Sequence, residues 1–333
     1  MQSRRDAVLH GTLEATRLHR TLGTRNKIAV YGGRVDVFAA IIEQRAELIF
    51  KPLDGLLGAY IPTPYPGILV TAERSLAIQR YTAAHELGHF YMKHKGTLDD
   101  ETILQRSPVL SGTYGPNEIA ADAFASEFLV PEWLVNYHAE RQRWTGTDLC
   151  KPATLYQFAL RVGTSYEATC RTLERHGILS RSSSASLLSV ERKKIKQQLL
   201  GGRTLSNWFP NVWLLTKKDE GSVIYGEPND VFIVRLNEHT GSGYIWNVDQ
   251  VSAAGFTIVA DEHRATGNRG EIGGEVERVL TAQSPKGVIG NIELAERRPW
   301  DPAESFGRFS FAYDFRGKES GLPRAARERL FAA

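Results

Sequence analysis

One short pattern constrains this chain more than any other: His85-Glu86-Leu87-Gly88-His89, inside a segment that reads as helix from about Arg74 to Lys95. At about 100° per residue, His85 and His89 lie about 40° apart, and Glu86 falls within about 60–100° of both. All three therefore project toward one point. Ala84, Leu87, Gly88 and Tyr91 cluster roughly opposite and supply a core-facing stripe. Two imidazoles one turn apart can share a metal ion, and a carboxylate beside them can take a proton from water. Helices also produce this pattern by chance, so the metal reading needs a third ligand elsewhere.

A second helical stretch supplies one. Residues 117–131 read Asn-Glu-Ile-Ala-Ala-Asp-Ala-Phe-Ala-Ser-Glu-Phe-Leu-Val-Pro. Asn117 is expected as the N-cap and Pro131 as the stop. Ala120, Ala121, Ala123 and Ala125 are small enough to let this helix approach another closely. Glu118 and Asp122 sit one turn apart, and burying two carboxylates unpaired is costly. A metal accounts for both, with Glu118 as third ligand and Asp122 as the acceptor that fixes a ligand imidazole through its other nitrogen. The plainer alternative sets Asp122 against a nearby arginine. Where a fourth position stays open, water would be acidified toward a pKa of about 7, with Glu86 as its base. Tyr81, Tyr114, His94 and His138 are the candidate oxyanion donors, and nothing in the sequence ranks them.

With 333 residues the chain exceeds what one core usually serves. A formal charge of +3 is too small to argue nucleic-acid binding by itself. Cys150 and Cys170 form no C-x-x-C pair, so no disulfide scaffold is expected. No apolar run approaches a membrane span, and no apolar core follows the N-terminal arginines. A cytoplasmic location without membrane attachment is the expectation. Residues 1–26 read as a basic arm or helix. Residues 27–145 read as an α+β core, with strands at Glu47–Phe50, Leu56–Ile61 and Gly67–Thr71, and Gly55 and Gly58 for turning. The stretch from Gly96 to Pro116 is long enough for a flap. Residues 146–180 read as helical with a break at Gly163. Arg171, Arg175 and His176 there permit a DNA-reading unit, or a pair of helices that only buttresses the core. Ser180–Ser186 has linker composition, and a basic helix from about Leu187 to Leu200 follows, the two making up residues 181–204. From residue 205 to 325 the periodicity is two, in eight short runs, which argues an all-β sandwich.

The two helical motifs, with Arg80-Tyr-Thr-Ala-Ala before the first and Phe124-Ala125, Phe128-Leu129 and Pro131 in the second, resemble the ImmA/IrrE zinc metallopeptidases over about residues 27–180. The resemblance implies a zincin-like core and a helix-turn-helix-like subdomain. It implies one Zn2+ on His85, His89 and Glu118, with Glu86 as general base. It also implies a helix-turn-helix repressor as substrate, whose cleavage derepresses stress, mobile-element or phage-defence genes. In that family a histidine often follows four residues after the second ligand; here Lys93 stands there and His94 comes next. Separately, residues 237–246, 270–274 and 298–300 resemble in order the three inhibitory loops of chagasin-like cysteine-peptidase inhibitors, immunoglobulin-like sandwiches, over about residues 205–320. The first loop is two residues longer than the usual pattern. That likeness implies a partner surface of Thr240, Gly241, Tyr244, Trp246, Gly273, Gly274, Arg298, Pro299 and Trp300, where each tryptophan is either an exposed anchor or a core residue. Three functions stay in view: a zinc endopeptidase under control of its sandwich, a non-proteolytic DNA- or protein-binding regulator, and a cysteine-peptidase inhibitor. Nucleic acid is a candidate activator, and no feature sets the oligomeric state.

Overall fold

The computed structural model describes residues 3–30, 32–100, 115–265, 276–285 and 287–332. The chain divides into two compact units, Met1–Ser189 with Lys318–Ala333, and Val190–Gly317.

In the first unit, helix α1 (Arg4–Leu22) opens with a Ser3–Asp6 capping box and closes on Gly23 at φ 60°. It is no loose arm. Its buried stripe of Ala7, Gly11, Ala15, Leu18 and His19 lies on the later helix Pro116–Leu129. A Cβ on Gly11 would stand 2.0 Å from the Ala120 carbonyl oxygen, so the two backbones touch. His19 stacks on Phe128, ring centroids 4.6 Å apart. Burial lowers the His19 pKa from 6.5 to about 4, so folding favours the neutral ring. Its contribution is then complete above pH 6.5 and is lost as pH falls toward 4, up to about 3 kcal/mol. Denaturant midpoints measured across that window should drop in the wild type, and His19→Phe should flatten that part of the profile.

After α2 (Thr24–Lys27) comes α3 (Val37–Glu43), capped by Asp36 on the Phe38 and Ala39 amides. Strands β1 (Glu47–Lys51), β2 (Leu56–Ile61) and β3 (Gly67–Thr71) precede α4 (Leu76–Tyr91), and β4 (Thr97–Asp100) follows it. The sheet order is β1-β3-β2-β4, with β1 and β3 parallel and the other pairs antiparallel. Gly55 turns the chain at φ 68°, as expected. Gly58 does not turn it. It sits within β2, where a Cβ would meet the Thr82 methyl at 2.4 Å and Glu86 Oε1 at 2.9 Å. The sheet thus closes on α4 only because that strand position lacks a side chain.

Helix α5 (Pro116–Leu129) starts one residue before the expected cap. Gly115 caps it and Pro116 takes the first helical position, where a missing N–H costs nothing. Helices α6 (Glu132–Gln142), α7 (Gly146–Leu149), α8 (Pro152–Val162) and α9 (Tyr166–Arg175) follow. The Ser-rich stretch expected as a flexible linker is helix α10 (Arg181–Leu188). Ser180 caps it, Ser184 packs 3.4 Å from Cys170 Sγ, and Tyr166 donates to the Leu187 carbonyl. Small hydroxyls suit a cap and a tight helix contact as readily as a linker, which is why composition misleads here.

The second unit begins with α11 (Arg192–Leu199), whose Lys196 ammonium bonds the Trp208 and Pro210 carbonyls at 2.7 and 2.8 Å. Strands β5 (Val212–Thr216), β6 (Ser222–Tyr225), β7 (Val231–Glu238), β8 (Ile245–Asn247), β9 (Thr257–Ala265), β10 (Val276–Gln283), β11 (Ile289–Arg298) and β12 (Asp301–Asp314) form two sheets, with α12 (Asp249–Ala253) between β8 and β9. Their orders are β5-β7-β10-β9 and β6-β12-β11-β8. Phe232 of the first sheet meets Phe311 of β12 and Phe315, which follows it, in the core between the sheets. Buried Asp230 ties the edge of this core, accepting from the Asn211 amide, Trp213 Nε1 and the Glu227 amide.

The sandwich does not run to residue 325. After Gly317 the chain rejoins the first unit, where Gly321 forms an antiparallel bridge to Phe50 on β1. Gln79 of α4 donates to the Glu319 carbonyl at 3.0 Å and accepts from its amide at 2.7 Å. A last helix, α13 (Arg324–Ala332), packs on α3.

Candidate metal centre

Every residue of α4 from Gln79 to His89 is buried except Tyr81, so the site is assembled inside the unit. Two side chains near its start fasten the helix. Gln79 holds Thr71 and the C-terminal segment, and Arg80 donates to the Gly163, Val162 and Val35 carbonyls at 2.9, 3.2 and 2.8 Å. Arg80 thereby ties α4 to the end of α8. Its place in the sequence motif signals importance, but no pattern announced three carbonyl acceptors from distant segments.

One turn later the chemistry begins. His85 Nε2 and His89 Nε2 lie 2.9 Å apart. Glu118 approaches them from α5, with Oε2 3.4 Å from His85 and Oε1 3.6 Å from His89. Gly88 permits this convergence, since a Cβ there would press on the Phe124 ring at 3.1 Å. Asp122 Oδ1 stands 2.9 Å from His85 Nδ1. A carboxylate only accepts, so that nitrogen carries the proton and Nε2 presents its lone pair toward Glu118. Two nitrogen lone pairs and a carboxylate gathered in a buried pocket repel one another unless a positive charge lies among them. Among the described residues, His85, His89 and Glu118 form the one group able to hold a metal ion, their donor atoms within 4.8 Å of one another. Glu118 keeps 23% of its side chain exposed while both histidines are closed off, so the site opens on its glutamate side. Two imidazoles, one carboxylate and an accessible side fit a divalent cation that keeps a position free.

Glu86 is fully buried, with its carboxyl beside the β2 backbone at Gly58. The candidate oxyanion donors fare differently. Tyr81 donates to Asp122 at 3.4 Å, and burial followed by the charge of Asp122 raises its pKa strongly. His138 bonds the Gly33 carbonyl at 2.6 Å, a structural contact. His94 lies against His89, Nδ1 to Nδ1 at 3.0 Å. Tyr114 lies outside the described residues, as does most of the expected flap. The three basic residues expected on a DNA-reading helix are engaged within their own unit. Arg171 pairs with Glu167 at 2.7 Å and His176 bonds the Val130 carbonyl at 2.8 Å. Arg175 points inward, where burial lowers its pKa against the opposing fields of Tyr81, Glu127 and Asp122. These contacts favour the buttressing alternative, and they supply the arginine beside Asp122.

In the sandwich, β7 to β8 and β11 to β12 bring two of the three expected loops together; Gly273 and Gly274 lie outside the described residues. Trp300 is 72% exposed, with its ring over Gly243, where a Cβ would stand 2.5 Å away. Gly243 also needs its φ of 77°, so it has two reasons to be glycine. Arg298 covers the Tyr244 ring at 4.5 Å and donates to the Ser242 carbonyl at 3.2 Å. Thr240, Gly241 and Pro299 are exposed beside them, and Phe306, 57% exposed, packs on His239 and Tyr244. Trp246 is not an exposed anchor. It is 5% exposed, donates from Nε1 to the Asn237 carbonyl at 2.8 Å, and takes its place in the core because β8 alternates out-in-out. Trp246→Ala should therefore cost the second unit about 3–5 kcal/mol. Trp300→Ala should change its stability by no more than about 0.5 kcal/mol. Chemical denaturation followed by tryptophan fluorescence separates the two.

Comparison with known proteins agrees with this division. Residues 46–174 match the IrrE N-terminal-like domain, Peptidase_M78. Residues 227–315 match the chagasin family peptidase inhibitor I42. A search of curated proteins returns no match. Among solved structures, the crystal structure of the cysteine protease inhibitor EhICP2 from Entamoeba histolytica aligns at 20% identity and a TM-score of 0.29, covering 33% of this chain and 100% of that one. The solution structure of Amebosin aligns at 23% identity and a TM-score of 0.27, covering 32% and 98%. No described helix is long and apolar enough to cross a membrane. By its family-model matches the chain is similar to the IrrE N-terminal-like Peptidase_M78 family over residues 46–174 and to the chagasin inhibitor family over residues 227–315.

Proposed function

We propose that the first unit is a zinc-dependent endopeptidase that cleaves a helix-turn-helix repressor, derepressing stress, mobile-element or phage-defence genes, and that the sandwich recruits or senses a protein partner. The observation that carries this reading is the convergence of His85, His89 and Glu118 around one point, with buried Glu86 next to His85 on the same helix. His85, His89 and Glu118 would hold the ion, which when bound supplies Lewis acidity toward water and the scissile carbonyl. Asp122 keeps His85 in the tautomer that offers Nε2. Glu86 takes the proton from the attacking water and passes it to the leaving amine. Purified chain loaded with one equivalent of zinc should cut the repressor encoded beside its gene, and a chelator should stop the reaction. An intact repressor after prolonged incubation would sink the substrate assignment.

Exposed Trp300 on its Gly243 seat supports the partner role of the sandwich, since a rigid aromatic standing out of a loop cluster is the usual centre of a protein interface. The same feature favours a second reading, inhibition of a papain-type peptidase. Titration of the full chain against such an enzyme decides it, and unchanged peptidase activity at saturation removes it. Exposed Arg192, Lys193 and Lys194 of α11 are where a nucleic-acid activator would act. A cleavage rate indifferent to added single-stranded DNA would end that role.

A further inference from the structure

We propose that the basic face of α11 and the Trp208–Phe209 loop fastened to it form a binding site for single-stranded nucleic acid. The two rings stack on bases, and Arg192, Lys193 and Lys194 pair with phosphates. This deepens the nucleic-acid role raised above, and its main readout is binding rather than cleavage.

Charge picks out this stretch first. Between Arg192 and Lys218 lie seven lysines and arginines and no aspartate or glutamate. The rest of the chain, with 34 basic residues against 38 acidic, is net negative. The structure then sorts most of the seven. Arg203 pairs with Glu262, and Lys217 pairs with Glu220 at 2.8 Å. Lys196 is buried and occupied by the Trp208, Phe209 and Pro210 carbonyls. Arg192, Lys193 and Lys194 are exposed, and among the described residues no carboxylate pairs with them.

Buried Lys196 also sets the geometry. Its ammonium gathers three successive carbonyls and so draws the loop over α11, while Asn207 Oδ1 accepts from the Phe209 amide at 2.8 Å. Arg192 and Lys193 stand four and three residues before Lys196 and share its side of the helix. The Lys193 ammonium lies 5.7 Å from the centre of the Trp208 ring. Arg192 is near enough to add to burial, the larger cause, in lowering the Lys196 pKa to about 8 against the pull of Asp230. Beside them Phe209 is 92% exposed, more than any other large apolar side chain among the described residues. Its ring is open on both faces. Cations interleaved with exposed rings suit a strand whose bases are unpaired, since every base has a face to stack. A duplex keeps its bases stacked on one another and would use only the charges. A lipid surface would need more apolar area, because Ile195 and Leu199 on the apolar side of α11 are already buried.

The test is fluorescence anisotropy of a labelled oligothymidylate of about 12 nucleotides with the full-length chain. The wild type should bind, and log Kd should rise with log salt at a slope of about 2, or about 0.7 for each of three phosphates. Changing Arg192, Lys193 and Lys194 together to glutamine should remove most of that slope. Phe209→Ala should weaken binding about 5–150-fold at constant slope. The thermal transition of the second unit should stay in place, because so exposed a side chain packs on little. Phe209→Leu should lose as much as Phe209→Ala, and Phe209→Trp should restore affinity, which separates stacking from apolar insertion. An oligouridylate should bind comparably, since neither stacking nor phosphate pairing uses the 2′ position, and rejection of either sugar overturns that mode. No binding by the wild type, or Phe209→Ala binding as tightly as wild type, overturns the site. Binding to phosphatidylserine vesicles without binding to the oligonucleotide assigns the surface to a membrane and overturns it too. Binding as expected, with repressor cleavage indifferent to the oligonucleotide, upholds the site and overturns the activator role instead.

Discussion

Glu86→Gln should abolish nearly all proteolysis, about 10²–10⁴-fold in kcat, while the variant folds and binds zinc as the wild type does. The substitution preserves shape in a place where shape matters. Glu86 is fully buried, and its Oε1 lies where a Cβ on Gly58 would come within 2.9 Å. An amide fills that space, so the β2–α4 contact survives. What it cannot do is accept and return a proton, and a loss of that size corresponds to about 3–5 kcal/mol of transition-state stabilisation. Neither imidazole nor Glu118 is altered, so metal content should remain at one equivalent. The measurement is kcat and KM on the repressor, with zinc content determined on the same sample. Cleavage equal to wild type would end the role of Glu86 as base. Loss of activity together with loss of zinc would make Glu86 a structural support of the ligands.

Local periodicity made much of this centre legible. His85, Glu86 and His89, like Glu118 and Asp122, are set on their faces by the 3.6-residue repeat, and that repeat holds whatever the rest of the chain does. The eight strands of the second unit were equally visible, because alternation of apolar and polar residues is a property of each strand alone. What escaped lies where position is decided elsewhere. Gln79 reaches a partner 240 residues away and bonds only its backbone, which leaves no side-chain pattern to read. Trp246 and Trp300 look alike as loop tryptophans. Only the out-in-out pattern of β8 buries the first, and three residues are too few to fix that parity from sequence. His94 stands at a spacing that no helix would use, and the left-handed residue before it is a lysine rather than the glycine that would have advertised a turn. Gly58 was visible as a glycine but not as a point of close approach, since the neighbours that require it come from α4.

The C-terminal segment carries the second large expectation. A chain ending at Gly317 retains the whole sandwich, yet its first unit should lose about 3–5 kcal/mol and most of its activity. Two ladder hydrogen bonds between Phe50 and Gly321, at 2.8 and 2.7 Å, would be lost, about 1 kcal/mol each. The Gln79 amide, completely buried, would lose both bonds to Glu319 and keep its bond to Thr71, which adds about 1–3 kcal/mol for polar atoms left without partners. Contacts of α13 with α3 disappear as well. Since a domain of this kind is stable by only about 5–15 kcal/mol, the change is large. It also strikes the helix that carries His85 and His89, because Gln79 lies six residues before His85 on α4. Calorimetry should show the transition of the first unit moving down while that of the second stays in place. Gln79→Leu in the full chain should reproduce part of the loss, and in the shortened chain it should cost less than in the full chain, since only the bond to Thr71 is left to lose. Full additivity of the two changes, or an unmoved transition on truncation, would mean that the segment only rests on β1 and α4 and does not brace them.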